Sequence, residues 1–255
     1  MLKRIAVVSE DAKLVKAAQK ALDGREDILL SAVAPGETSP RPVSGVLAPA
    51  TQVQHALPVL AQATGEHEAL FTLVALAVDA REGHAAGSCA RLCDHAVRLA
   101  TAMKLTQDEI NTIERGALLH DVGKLRVSNE VLMKKSLLSY DEWLELQAHT
   151  TKGADLLREF GFEEAVLEIV HRHHEAWDGD GYPGHLEREA IPLSARIMKI
   201  CDVFTAMTSP RHYRPGIPST QDALDHLAAE RGKHFDPELI DIFLEHNIGR
   251  PWPSA

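Results

Sequence analysis

Thirteen consecutive residues, "HRHHEAWDGDGYP" from His171 to Pro183, bring together three imidazoles and three carboxylates. Neutral imidazole nitrogens and carboxylate oxygens are the donors that divalent transition metals take. The competing readings are a pH-sensitive surface and a helix end followed by a turn. Helical phase separates the three histidines. Val166, Ile169 and Val170 define an apolar face, with His173 near its centre and His174 on its edge, while His171 points away.

The same test finds more inward polar groups. In "ERGALLHDVGK", Ile110, Ile113 and Ala117 share a face with Asp121, and His120 lies at its edge. Leu146, His149, Gly153 and Leu156 form one stripe through "WLELQAHTTKGADLL". Asp202 shares a stripe with Ala195, Met198 and Ala206 in "LSARIMKICDVFTAM". A lone inward histidine is more often a hydrogen-bonded core residue than a ligand. A buried carboxylate needs a cation, a metal or a proton. Four helices that each present His or Asp inward form the pattern by which bundles hold metal ions. In the adjacent His-Asp pair the imidazole can bind one ion while the carboxylate bridges two.

These positions lie in a chain of 255 residues, 45% hydrophobic and 25% charged, an ordinary globular composition. The longest apolar run, "ALFTLVALAV", suits a buried helix and is too short to span a bilayer. The N-terminus lacks the apolar region and cleavage site of a signal peptide, so a cytoplasmic protein without membrane attachment is expected. A net charge of −10 and no basic stripe argue against duplex nucleic acid as a partner. Cys89, Cys93 and Cys201 are too few for a disulfide framework. Cys89 and Cys93, one helical turn apart, could bind a soft metal, but small buried hydrophobes are the preferred reading.

From about residue 60 the apolar spacing is helical, with capping boxes at Thr106-x-x-Glu109 and Ser139-x-x-Glu142. The expected fold is mainly α, a helical bundle over 61–255. Residues 1–60 read as a small α/β segment. "RIAVVS" and "ILLSAV" are strand candidates, Leu14, Val15, Ala18 and Leu22 mark a helix between them, and a Pro/Gly/Ser-rich stretch over 34–45 follows. The segment resembles the start of a response-regulator receiver domain, too short to be complete. It is the expected contact for a signalling partner. Regulatory domains of this size are often homodimers. Trp143 reads as core, and Trp177 as a residue that could flank a pocket.

"LLHDVGK" followed by "HHEAWDGDGYP" resembles the HD-GYP domains, a branch of the HD metal-dependent phosphohydrolases. Further matching motifs are "LMKKSLLSYDEW", "IPLSARIMKICDVFTAMTSPRHYR" and "GKHFDPELIDIF", so the likeness runs from about residue 75 to 245. It implies an HD-type helical bundle with two or more divalent ions, iron or manganese first, nickel or zinc as alternatives. It implies hydrolysis of the bacterial messenger cyclic di-GMP, through a metal-bound hydroxide, to the linear dinucleotide or GMP. The ligands it carries over are His120, Asp121, His149, His173, His174 and Asp202. Lys124 is implied beside the scissile phosphate, catalytic together with Asp121. Gly181, Tyr182, Pro183, Arg211 and Arg214 are implied as substrate contacts.

The family's usual first-helix histidine is absent, with Ser88 in its place, and His84 stands where active trinuclear members have a glutamate. One metal position then keeps His120, Asp121 and Asp202 without a fourth protein ligand, which His84 or water is left to fill. Another keeps Asp121, His149, His173 and His174. A catalytically impaired domain that senses a cyclic dinucleotide or binds partners is the rival to the enzyme.

Overall fold

The computed structural model describes the backbone of 3–8 and 28–33, residues 71, 74–75, 78–79 and 82, and then 88–209 and 216–250. Two strands, β1 (Lys3–Val8) and β2 (Ile28–Val33), pair in parallel with Lys3 opposite Ile28. Both strand candidates are therefore strands. The helix expected between them and the 34–45 stretch lie outside the described residues.

Nine α-helices follow among the described residues, in the order α1 (Ser88–Ala102), α2 (Gln107–Leu119), α3 (Asn129–Leu132), α4 (Tyr140–Gln147), α5 (His149–Glu159), α6 (Glu164–Arg172), α7 (Leu193–Met207), α8 (Thr220–Ala229) and α9 (Pro237–Glu245). A 3-10 turn at Val122–Arg126 lies between α2 and α3. Both expected capping boxes form, Thr106 with Glu109 and Ser139 with Glu142, and Ser219 with Asp222 adds a third. Each satisfies backbone N–H groups that a helix start leaves without partners.

The bundle closes around Leu99, Ile113, Leu119, Leu156, Ile169, Ile197 and Phe204, all almost fully buried. Each such side chain contributes about 1.5–3 kcal/mol on leaving water. Helix α2 packs against α1 and α6, α5 against α6 and the 3-10 turn, and α7 against α1 and α6. Cys89, Cys93 and Cys201 are buried, and burial pushes their thiols up in pKa. They pack as small hydrophobes. Among the described residues no helix is long and apolar enough to cross a membrane.

The stripe from Leu146 to Leu156 is not one helix. It breaks at Ala148, between α4 and α5. There His149 Nδ1–H donates to the Leu146 carbonyl at 2.6 Å, and the Thr150 hydroxyl to the Gln147 carbonyl at 3.1 Å. The side chains take up carbonyls that the end of α4 leaves open, so the chain restarts in a new direction.

Candidate metal centre

The inward histidines sit at helix ends. His120 follows the last residue of α2, His149 opens α5, and His173 follows the last residue of α6. All three use one device. The Nδ1–H of each donates to the carbonyl three residues back: His120 to Ala117 at 2.8 Å, His149 to Leu146, and His173 to Val170 at 2.9 Å. At His149 and His173 a ring with its only proton on Nδ1 presents a bare Nε2, while His120 turns its Nε2 to an oxygen of Asp121. Backbone carbonyls thus aim the imidazoles, in the way outer hydrogen bonds orient metal ligands.

Those bare nitrogens converge on Asp121. Its Oδ1 lies 3.3 Å from His149 Nε2 and 3.9 Å from His173 Nε2, and the two imidazole nitrogens are 3.5 Å apart. With His174 the four ligand atoms fall within 4.8 Å of one another. Asp121 Oδ1 is buried and has no hydrogen-bond partner. Three acceptors therefore face one another with no donor among them, an arrangement that a cation resolves and that packing alone does not. One carboxylate and three imidazoles fit a divalent ion of the borderline class, such as Fe, Mn, Ni or Zn.

The other carboxylate oxygen of Asp121 is held differently. His120 Nε2 lies 3.1 Å from Oδ2, and Lys124 Nζ donates to it at 2.7 Å. Lys124 also pairs with Glu82 at 2.8 Å. Glu82 is buried and was not anticipated. It lies in a turn with no apolar phase that could have singled it out. Asp202, half-buried on α7, acts electrostatically on His120 but does not join the four-ligand group. The structure therefore gathers Asp121, His149, His173 and His174, sets His120 and Lys124 on the far oxygen, and leaves Asp202 to one side. His171 stays outside as expected, half-buried with Nε2 3.4 Å from the Thr151 hydroxyl. Arg211, Arg214 and His84 lie outside the described residues.

Two glycines make the geometry possible. A Cβ on Gly123 would collide with the His149 carbonyl, so the turn after Asp121 reaches α5 only without one. A Cβ on Gly181 would collide with the Ala176 backbone nitrogen, so the Gly181-Tyr182-Pro183 loop folds back on the end of α6 only with glycine there. That return stacks Tyr182 on His174, ring centroids 4.8 Å apart at 24°. Glu175, fully buried, fixes the loop by accepting from Gly184 N at 2.7 Å, Leu186 N at 3.1 Å and Arg172 Nη1 at 3.2 Å. Glu175→Ala removes a buried charge from three donors, so a loss of about 3 kcal/mol or more in urea denaturation is expected. A loss below about 1 kcal/mol contradicts that role.

Electrostatics divides the histidines. Burial, with the rings of His120 and His149, holds His173 well below the ordinary imidazole range; burial, His173 and His149 do the same to His174. Burial also opposes charge on His120, but the Asp121 carboxylate against its Nε2 lifts it to about 9. Unfolded imidazoles titrate near 6.5. Below that pH the unfolded chain takes up protons that folded His173 and His174 refuse, so stability falls as pH drops. Between about 6.5 and about 9 folded His120 keeps a proton that the unfolded chain has released, so stability falls as pH rises. The metal-stripped protein is therefore expected to show its highest urea midpoint near pH 6.5–7, with up to about 1.4 kcal/mol lost per pH unit per ring on either side. A midpoint that climbs steadily from pH 7 to 9 contradicts the His120–Asp121 assignment.

Fold and site together define the class: a helical domain whose segment ends gather a His/Asp centre suited to a divalent cation. The HD domain family matches residues 72–239, and the chain belongs to that family and, within it, to the HD-GYP branch. It is 36% identical over 176 residues to the 3'3'-cGAMP-specific phosphodiesterase 2 of Vibrio cholerae, covering 68% of this chain and 33% of the relative. It is 39% identical over 182 residues to a cyclic di-GMP phosphodiesterase response regulator of Xanthomonas campestris, covering 70% of this chain and 47% of the relative. The chain thus spans between a third and a half of the length of these relatives. Among solved structures, a cyclic GMP-AMP specific phosphodiesterase of Vibrio cholerae superposes with TM-score 0.56 at 27% identity, covering 69% of this chain and 47% of that one. A Bdellovibrio bacteriovorus protein, at 16% identity and TM-score 0.54, shares the fold over 76% of this chain and 68% of its own.

Proposed function

We propose that this chain is a metal-dependent phosphodiesterase that hydrolyses cyclic di-GMP to the linear dinucleotide or GMP. The observation that carries the reading is the convergence of Asp121, His149, His173 and His174, with the buried Asp121 Oδ1 left without a hydrogen-bond donor. Relatives named for cyclic di-GMP and for 3'3'-cGAMP support the substrate class. Iron or manganese is the proposed metal; when bound it would supply positive charge for phosphate oxygens and lower the pKa of water toward about 7.

This chain's residues do the rest. Asp121, His149, His173 and His174 hold the ion, and carbonyls at the helix ends keep His149 and His173 in one tautomer. Lys124, fixed between Asp121 and Glu82, stands ready to offset charge growing on the phosphate. His120 and Asp202 are the proposed protein donors of a second position. Tyr182, stacked on His174, is the proposed wall of the substrate pocket. The proposed substrate contacts also include Gly181, Pro183, Arg211 and Arg214.

Ser88 favours a second reading. It is 4% exposed, and its hydroxyl lies 3.5 Å from that of Ser209. A serine hydroxyl is a poor ligand at neutral pH, so the domain could bind a cyclic dinucleotide without cleaving it. An anaerobic preparation loaded with Fe(II) or Mn(II) tests both. Linear product from cyclic di-GMP supports the enzyme, and binding without product supports the sensor. Faster cleavage of 3'3'-cGAMP corrects the substrate, and a preparation that retains no metal removes the centre itself.

A further inference from the structure

We propose that Trp143 is a stacking platform for one purine base of the substrate, a role that rests on the cyclic-dinucleotide reading. Trp143, read as core in the sequence, is 44% exposed. It lies on α4, which has no fully buried side chain. Tyr140 and Leu144 on the same helix, and Leu137 just before it, are also exposed. Isolated apolar side chains on a surface need no explanation. Trp143 differs in what it touches.

A series of rings leads from it to the centre. Trp143 meets Tyr182 edge to face, centroids 6.2 Å apart at 74°. Tyr182 stacks on His174, and His174 lies 5.2 Å from His149. Two ring steps therefore separate a solvent-exposed indole from the proposed metal ligands. A phosphodiester held at the centre carries its bases outward. An open indole at the rim of the Tyr182 loop offers such a base an aromatic face. Base–aromatic stacking tolerates any base, so the platform supplies affinity rather than base identity. Trp177, the other described tryptophan, is not available in this way. Arg196 covers its ring at 5.7 Å and is itself paired with Asp236.

Trp143→Ala is expected to raise KM for cyclic di-GMP roughly tenfold or more, with kcat within about twofold of wild type and metal content unchanged. Trp143→Phe keeps an aromatic face and is expected to recover most of the KM. In a Trp177→Phe, Trp252→Phe background, cyclic di-GMP is expected to quench the fluorescence of Trp143, and GMP to do so more weakly. Quenching without turnover sustains the platform and removes the enzyme reading. Turnover without quenching, or a Trp143→Ala loss confined to kcat or to bound metal, overturns the platform and leaves the enzyme reading intact.

Discussion

His173→Ala is expected to lose bound metal and, with it, turnover of cyclic di-GMP. His173 is fully buried, and the Val170 carbonyl holds its Nδ1–H, so its Nε2 can face only the centre. That nitrogen lies 3.5 Å from His149 Nε2 and 3.9 Å from Asp121 Oδ1. Changing residues that merely orient a ligand costs roughly 10–100-fold in metal affinity, and losing the ligand itself should cost at least the upper end of that range. A thermal melt separates this from simple misfolding. At a metal concentration of about 100 times Kd, binding stabilises the folded state by about 2.7 kcal/mol. For a domain of this size that raises the midpoint by about 5–10 °C. Wild type should show the shift with Mn(II), and His173→Ala should melt cooperatively without it. A variant that melts cooperatively and still gains the full shift shows that His173 is no ligand.

The ligand cluster was legible because polar residues on apolar faces are costly, and that cost leaves a periodic trace. Asp121, His149 and His173 each fell on such a face. The stripe through His149 spans a helix break at Ala148, and only its second part, His149, Gly153 and Leu156, lies on one helix and is buried. Residues that act from turns left no trace. Glu82 reaches Lys124 from a turn, and Glu175 collects its donors from a loop, so no period marks either. Trp143 was misjudged because a large apolar side chain on a helix reads as core. Only the course of the Gly181-Tyr182-Pro183 loop decides what it faces. Asp202 shows the converse limit, since its phase is inward but phase carries no distance.

Ser88→His is expected to raise both the number of ions per chain and turnover, the latter tenfold or more. Ser88 is the first residue of α1, a helix packed against α7, which carries Asp202. Its hydroxyl now belongs to a polar group on the far end of α7. Ser209 Oγ lies 3.5 Å from Ser88, accepts from Arg91 Nη2 at 2.6 Å, and donates to the Thr205 carbonyl at 2.5 Å. An imidazole at position 88 must give up the contact with Ser209 and find room at a buried position, so the exchange costs one weak hydrogen bond plus about 1–3 kcal/mol of repacking. If the proposed second position exists, a neutral nitrogen would add to its donors His120, Asp121 and Asp202, where a hydroxyl would have to lose a proton to bind. Ser88→Ala is the control, because it breaks the same contact and adds no ligand. A gain in Ser88→His that Ser88→Ala does not share belongs to the imidazole, and metal analysis should show it as about one further ion per chain. Equal metal content and turnover in all three proteins would mean that position 88 does not limit the centre, and the sensor reading would lose its main support.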